Sequence, residues 1–110
     1  MKKTVILSLI LLLSSAWVFA QRSNVIAVFQ LIETEKYEEA KEAVQEAIGH
    51  KNTRSWPRTW YAKGYLCQTA YEKGIKEDDK KLYELYPDQL YEAHRSYEKA
   101  LQLDRHGRLD

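Results

Sequence analysis

The sequence predicts an all-α protein built of two helical hairpins in tandem, and three observations point to it. Apolar residues recur at the 3.6-residue spacing of a helix. Two amphipathic segments carry one and the same apolar pattern, displaced by 53 residues. Four Gly, two Pro and 12% aromatic residues in 110 exclude disorder and collagen-like repeats.

The first 20 residues are set apart from the rest. Lys2 and Lys3 precede an apolar run from Val5 to Leu13, then Ser14, Ser15 and small or modest residues at Val18 and Ala20. This layout predicts a secretory signal peptide, 1–20, cut after Ala20, with the mature chain periplasmic or secreted. Thr4 to Ala20 is 17 residues, at the bottom of the range for a membrane span and interrupted by serines, so no stable membrane insertion is expected after cleavage.

Two of the 17 basic residues and none of the 16 acidic ones fall in that segment, leaving 90 residues with a net charge near −1. Mixed charge of this kind offers no footprint for nucleic acid or an anionic membrane. Ninety residues suit one small domain, fewer than most enzyme scaffolds use. Cys67 is the only cysteine, so no internal disulfide can form, and its place on an apolar helical row reads as core.

Residues 22–32, RSNVIAVFQLI, are dense enough in apolar side chains for a mostly buried first helix ending near Glu33 and Thr34. In the second helix Tyr37, Ala40, Val44, Ala47 and Ile48 share one face. Thr34 is its expected N-cap and Gly49 its stop. Ser55 and Pro57 open the third helix, Pro being preorganised for a first turn. Its expected buried row is Trp60, Gly64, Cys67 and Tyr71, and Gly74 its end. A charged, weakly periodic segment follows as loop or helical extension. Pro87 and Asp88 then open a fourth helix with Leu90, Ala93, Tyr97, Ala100 and Leu101 as its apolar face, the pattern of the second helix.

The order is thus a helix, an amphipathic helix, and the same pair again, the mark of a helical-hairpin repeat. KYEEAKEAVQEAI and QLYEAHRSYEKALQLD resemble the second helix of the tetratricopeptide repeat. WYAKGYLCQTAYEKG resembles its first, with Trp60 and Gly64 at that motif's Trp and Gly positions. Asn24 and Val28 stand at those positions in the first hairpin, and Asn52 and Arg105 where the motif usually has Pro. The resemblance implies an α-solenoid of about two repeats wound as a right-handed superhelix, repeat one at 21–54 and repeat two at 55–106, with an insertion at about 74–87. The pattern with its leader is similar to the start of secreted bacterial tetratricopeptide-repeat proteins.

No catalytic constellation stands out. His50, His94 and His106 lack the spacing of a zinc site; His50 and His106 read as helix-end residues. The acidic pairs Glu38 and Glu39, and Asp78 and Asp79, fall on solvated faces or in the charged segment. Phosphate loops, nucleophile elbows and HExxH motifs are absent from the sequence. The expected reading is therefore a non-enzymatic module without cofactor or metal that binds a protein or peptide. The resemblance implies binding through the concave face lined by the first helix of each repeat. That face would carry Arg58, Tyr61, Tyr65, Gln68 and Thr69, joined by Arg22, Val25 and Phe29. Val25, Phe29, Tyr61 and Tyr65 occupy positions where some family members clamp a carboxylate with Lys and Asn, so an apolar or proline-containing ligand is expected. The alternative is a purely structural leading segment of a longer repeat array or oligomer, with self-association through the last helix.

Overall fold

A computed structural model describes residues 21–104. The expected signal peptide, 1–20, together with Arg105 and His106, lies outside the described residues. The described chain is all-helical: α1 covers residues 21–33, α2 Tyr37–Gly49, α3 Lys51–Arg54, α4 Pro57–Glu77, α5 Lys80–Tyr83 and α6 Gln89–Leu103.

The turn between α1 and α2 is closed by the end of α1. The Lys36 amide donates to the Leu31 carbonyl at 2.8 Å and the Glu35 amide to the Ile32 carbonyl at 3.0 Å, with Glu35 left-handed at φ 64°. This Schellman pair satisfies carbonyls that a helix end leaves open. Thr34 belongs to the same closure, its hydroxyl donating to the Gln30 carbonyl at 2.9 Å. It therefore terminates α1 instead of capping α2, which begins after Lys36 with no side-chain cap.

The end of α4 repeats the device. Asp79 donates to the Gly74 carbonyl at 2.8 Å, Asp78 to the Ile75 carbonyl at 3.4 Å, and Asp78 has φ 54°. Gly74 thus sits inside α4, three residues before its last residue, and is not the stop. Its lack of a side chain serves packing, because a Cβ there would lie 2.5 Å from the Tyr83 amide nitrogen and 2.9 Å from the Asp79 carbonyl oxygen. The returning chain passes directly over it.

The start of α4 agrees with Pro57 as its first residue. Ser55 instead closes α3, its hydroxyl donating to the Lys51 carbonyl at 3.3 Å. α3 itself is a four-residue helix in a stretch with no apolar periodicity to announce it.

The segment expected as an insertion, about 74–87, is built into the fold. Its first residues continue α4, α5 follows, and Leu85 and Tyr86 are buried. Gln89, 3% exposed, ties these pieces together with its amide. Its Oε1 accepts from the Tyr86 amide at 3.0 Å, while Nε2 donates to the Cys67 carbonyl at 3.0 Å and the Leu82 carbonyl at 2.9 Å. A buried amide with every arm engaged stabilises, where an unpartnered one would cost several kcal/mol.

One apolar cluster joins Val25, Val28 and Ile32 of α1 to Tyr37, Ala40, Val44 and Ala47 of α2 and Ala62, Leu66, Cys67 and Ala70 of α4. The α2 row is the expected one, with Ile48 packed at its edge. α1 buries a single face and leaves Ile26 exposed, so it is less enclosed than its composition suggests. α4 buries two rows, Thr59–Ala62–Leu66–Ala70 as well as Gly64–Cys67–Gly74. Trp60 lies at the border, half-buried, its indole N–H donating to the Arg54 carbonyl at 2.7 Å.

α6 departs furthest from its expected face. Its buried row is Gln89, Ala93, Ser96 and Ala100, while Leu90 and Leu101 are 51% and 63% exposed. The helix packs chiefly on α4 and presents small residues where the two approach closely. A second neighbour, such as α4 provides for α2, is absent among the described residues.

Candidate interaction face

An aromatic cluster drawn from three helices lies at the edge of the core, with Phe29 and Tyr65 packed against it. Phe29 of α1 stands 5.9 Å from Tyr61 and 5.8 Å from Tyr65, measured between ring centroids. Tyr61 and Tyr65, one turn apart on α4, stack at 6.4 Å with 12° between their planes. Tyr97 of α6 closes the cluster, 5.7 Å from Tyr61. Its hydroxyl donates to Gln68 Oε1 at 2.7 Å, and Gln68 Nε2 donates to Glu72 at 3.1 Å. These geometries suit aromatic quadrupoles, and the polar tips remain at the surface.

The same side of the molecule holds a cationic group near the start of α4. The guanidinium of Arg22 lies 5.0 Å from the Trp56 ring centroid and that of Arg58 lies 5.8 Å away. Trp56 itself packs on the core. Two guanidinium groups thus lie within cation–π range of its ring.

Sequence reasoning placed eight residues on this side, and their fates differ. Tyr61 is exposed at 37%, and Tyr65 and Phe29 are half-buried, all three in one cluster. Gln68 is exposed and bonded to Tyr97, whereas Thr69 is half-buried and engages no cluster partner. Arg22 and Arg58 lie beside the Trp56 ring. Val25 is 1% exposed and belongs to the core, not to the groove. Two members, Tyr97 and Trp56, escaped the sequence. Tyr97 shares its helical row with Ala93 and Ala100 and so reads as core; Trp56 stands alone, outside any periodic row.

Burial pushes the Tyr97 hydroxyl up to about 12, with the neighbouring Tyr61 adding to the effect, so it stays a neutral donor near pH 7. The Cys67 thiol is fully buried and pushed up to about 12 by burial, which makes it a poor nucleophile. His94 pairs with Glu98 at 3.1 Å on the surface of α6. Among the described residues no group of three His, Cys, Asp or Glu side chains is placed to hold a metal ion, and no helix is long and apolar enough to cross a membrane.

No protein-family model, curated protein or solved structure matches the chain.

Proposed function

We propose that the chain is a non-enzymatic protein-interaction module, an exported tetratricopeptide-like pair of hairpins whose contact surface is the open end of the second hairpin. One observation carries this reading. Residues exposed on the second hairpin have counterparts that the first hairpin buries. Tyr61 and Gln68 stand 36 residues after Val25 and Ile32, and Leu90 and Leu101 stand 53 after Tyr37 and Ile48, while Tyr65 and Tyr97, the counterparts of Phe29 and Val44, are half-buried. Val25, Ile32, Tyr37 and Val44 are buried in the cluster that α4 completes, and Phe29 and Ile48 pack against it. In the second hairpin Tyr61, Leu90 and Leu101 are 37%, 51% and 63% exposed. Adjacent apolar side chains left open in this way mark a docking surface, and a helix lying as α4 lies on α1 and α2 fits it.

Export rests on the layout of residues 1–20, and the partner class on the aromatic and leucine side chains of the face. The alternative occupant is a further hairpin or a second copy of the chain, which would make the role structural. Sedimentation over a wide range of concentration, on the chain beginning at Gln21, separates these. Concentration-dependent association lost in Leu101→Glu supports the second copy. A monomer that binds an amphipathic helical peptide through Tyr61 supports the interaction module. A monomer binding no such peptide contradicts the reading.

A further inference from the structure

A second surface, on the far side of α6 from the aromatic cluster, has a different character. A cleft of about 660 Å³ lies between α3, the start of α4 and α6, with Lys51, Arg54, Trp60, Lys63, Ser96 and Lys99 on its walls. Its volume falls within the range of small-molecule sites.

Five cations and two carboxylates line it, since Arg95, Glu92 and Glu98 complete the charged set. Glu92 is shared by Lys63 at 3.1 Å and Arg95 at 3.3 Å. Glu98 pairs with His94, which does not line the cleft. Lys51, Arg54 and Lys99 have no carboxylate partner among the described residues. These three are exposed, so solvent screens their mutual repulsion, and they stand free to engage an anion in the cleft.

The wall also holds an unanswered donor. Ser96 is 1% exposed and its hydroxyl has no hydrogen-bond partner. A buried hydroxyl without a partner costs about 1–3 kcal/mol. Ser96 lines the cleft, but its hydroxyl is shut off in the unliganded conformation, so a ligand oxygen would reach it only once the side chain turns toward the opening.

We propose that this cleft binds a small multiply charged oxyanion, a polyphosphate or polycarboxylate compound, with Arg54, Lys51 and Lys99 as charge partners and Ser96 as a neutral donor. Arg54 offers the paired donors that recognise phosphate and carboxylate. Trp60 and Leu103 add apolar surface to the lining. Nucleic acid is disfavoured by the chain's net charge of +1 and the lack of a continuous basic stripe. The assignment is independent of the aromatic face.

Calorimetric titration of the full chain at low ionic strength with inorganic pyrophosphate, and separately with citrate, tests it. The expected result is saturable one-site binding of at least one probe, the stronger one naming the phosphate or the carboxylate class. Arg54→Ala and Lys99→Ala should each weaken that binding by about tenfold. Arg54→Ala spares the Trp60 bond, which uses the backbone carbonyl. Lys76→Ala, on the exposed last turn of α4, should leave binding unchanged. Ser96→Ala should weaken binding while raising the melting temperature of the unliganded chain, a pair of effects that a merely structural serine would not give. Absence of saturable binding with both probes overturns the proposal. So does an affinity unchanged from the parent in both Arg54→Ala and Lys99→Ala, because the anion would then sit elsewhere.

Discussion

The ring of Tyr97 lies over Gly64 so closely that a methyl group on Gly64 would stand 2.8 Å from two ring carbons. The contact explains a glycine in mid-helix, where it costs about 1 kcal/mol of propensity relative to alanine. It also sets the distance between α4 and α6 and the place of the Tyr97 hydroxyl beside Gln68.

Two glycine substitutions should separate side-chain from backbone closeness. Gly64→Ala gains helix propensity but must push a movable ring aside, so a net loss of about 1 kcal/mol is expected. Gly74→Ala meets backbone, the Tyr83 amide nitrogen at 2.5 Å, and should cost about 3 kcal/mol or more. Chemical denaturation of both variants gives the order. A smaller loss for Gly74→Ala would mean that the returning chain yields easily.

Gln89→Glu should destabilise by about 3 kcal/mol at pH 7, because a carboxylate would face the Cys67 and Leu82 carbonyls that the amide now donates to. Such a carboxyl has its folded pKa raised above the unfolded one. Its penalty therefore grows as pH rises past about 4.3 and shrinks on acidification. Melting curves of this variant and the parent from pH 4 to 8 should diverge with rising pH. Parallel curves would contradict the hydrogen-bond assignment.

Alkaline conditions should weaken the parent chain itself. Cys67 is raised from 9.0 to about 12 and Tyr97 from 10.0 to about 12, both chiefly by burial. Each stabilises fully below its unfolded value, and that contribution falls away as pH climbs through 9 to 12. Melting temperature in the presence of a reductant should drop over this interval, and Cys67→Ala should remove the earliest part of the drop.

The tyrosines of the open face should divide by depth. Tyr61→Ala is expected to cost less than about 1 kcal/mol and Tyr65→Ala about 1–2, against about 2–5 for Leu66→Ala in the core. Leu90→Glu and Leu101→Glu should leave thermal stability nearly unchanged while abolishing any self-association. Tyr61→Ala melting as low as Leu66→Ala would place that ring in the core.

Helix identity was legible wherever one apolar row decided the fold. Tyr37, Ala40, Val44 and Ala47 line up at helical spacing and are buried together, and Pro57 opens α4 as its fixed φ requires. Rows that face two neighbours, or fewer neighbours than their twin, were not legible. Leu90 and Leu101 repeat Tyr37 and Ile48 in sequence yet lie open, because exposure depends on what packs outside the hairpin. Caps misled for a related reason. Thr34 is chemically suited to begin a helix and to end one, and only the left-handed turn at Glu35 decides. Of the site, the Tyr61 and Tyr65 row was visible as a face rotated one residue from Trp60 and Gly64. Its third partner, Tyr97, comes from a helix 32 residues on from Tyr65, and no local pattern announces that meeting.

The ammonium of Lys41, on α2, donates to the Leu85 carbonyl at 2.8 Å and lies 4.9 Å from the Tyr86 ring centroid. Lys63 of α4 approaches the same ring at 5.4 Å. A segment belonging to the second hairpin is thus fastened to the first across both partners. In stacked arrays each unit normally touches only its neighbour's flank, and fraying can begin at either end. Here such fraying must first release Tyr86. The pair should therefore melt as one cooperative block, with amide exchange in α2 and α6 reporting the same opening free energy.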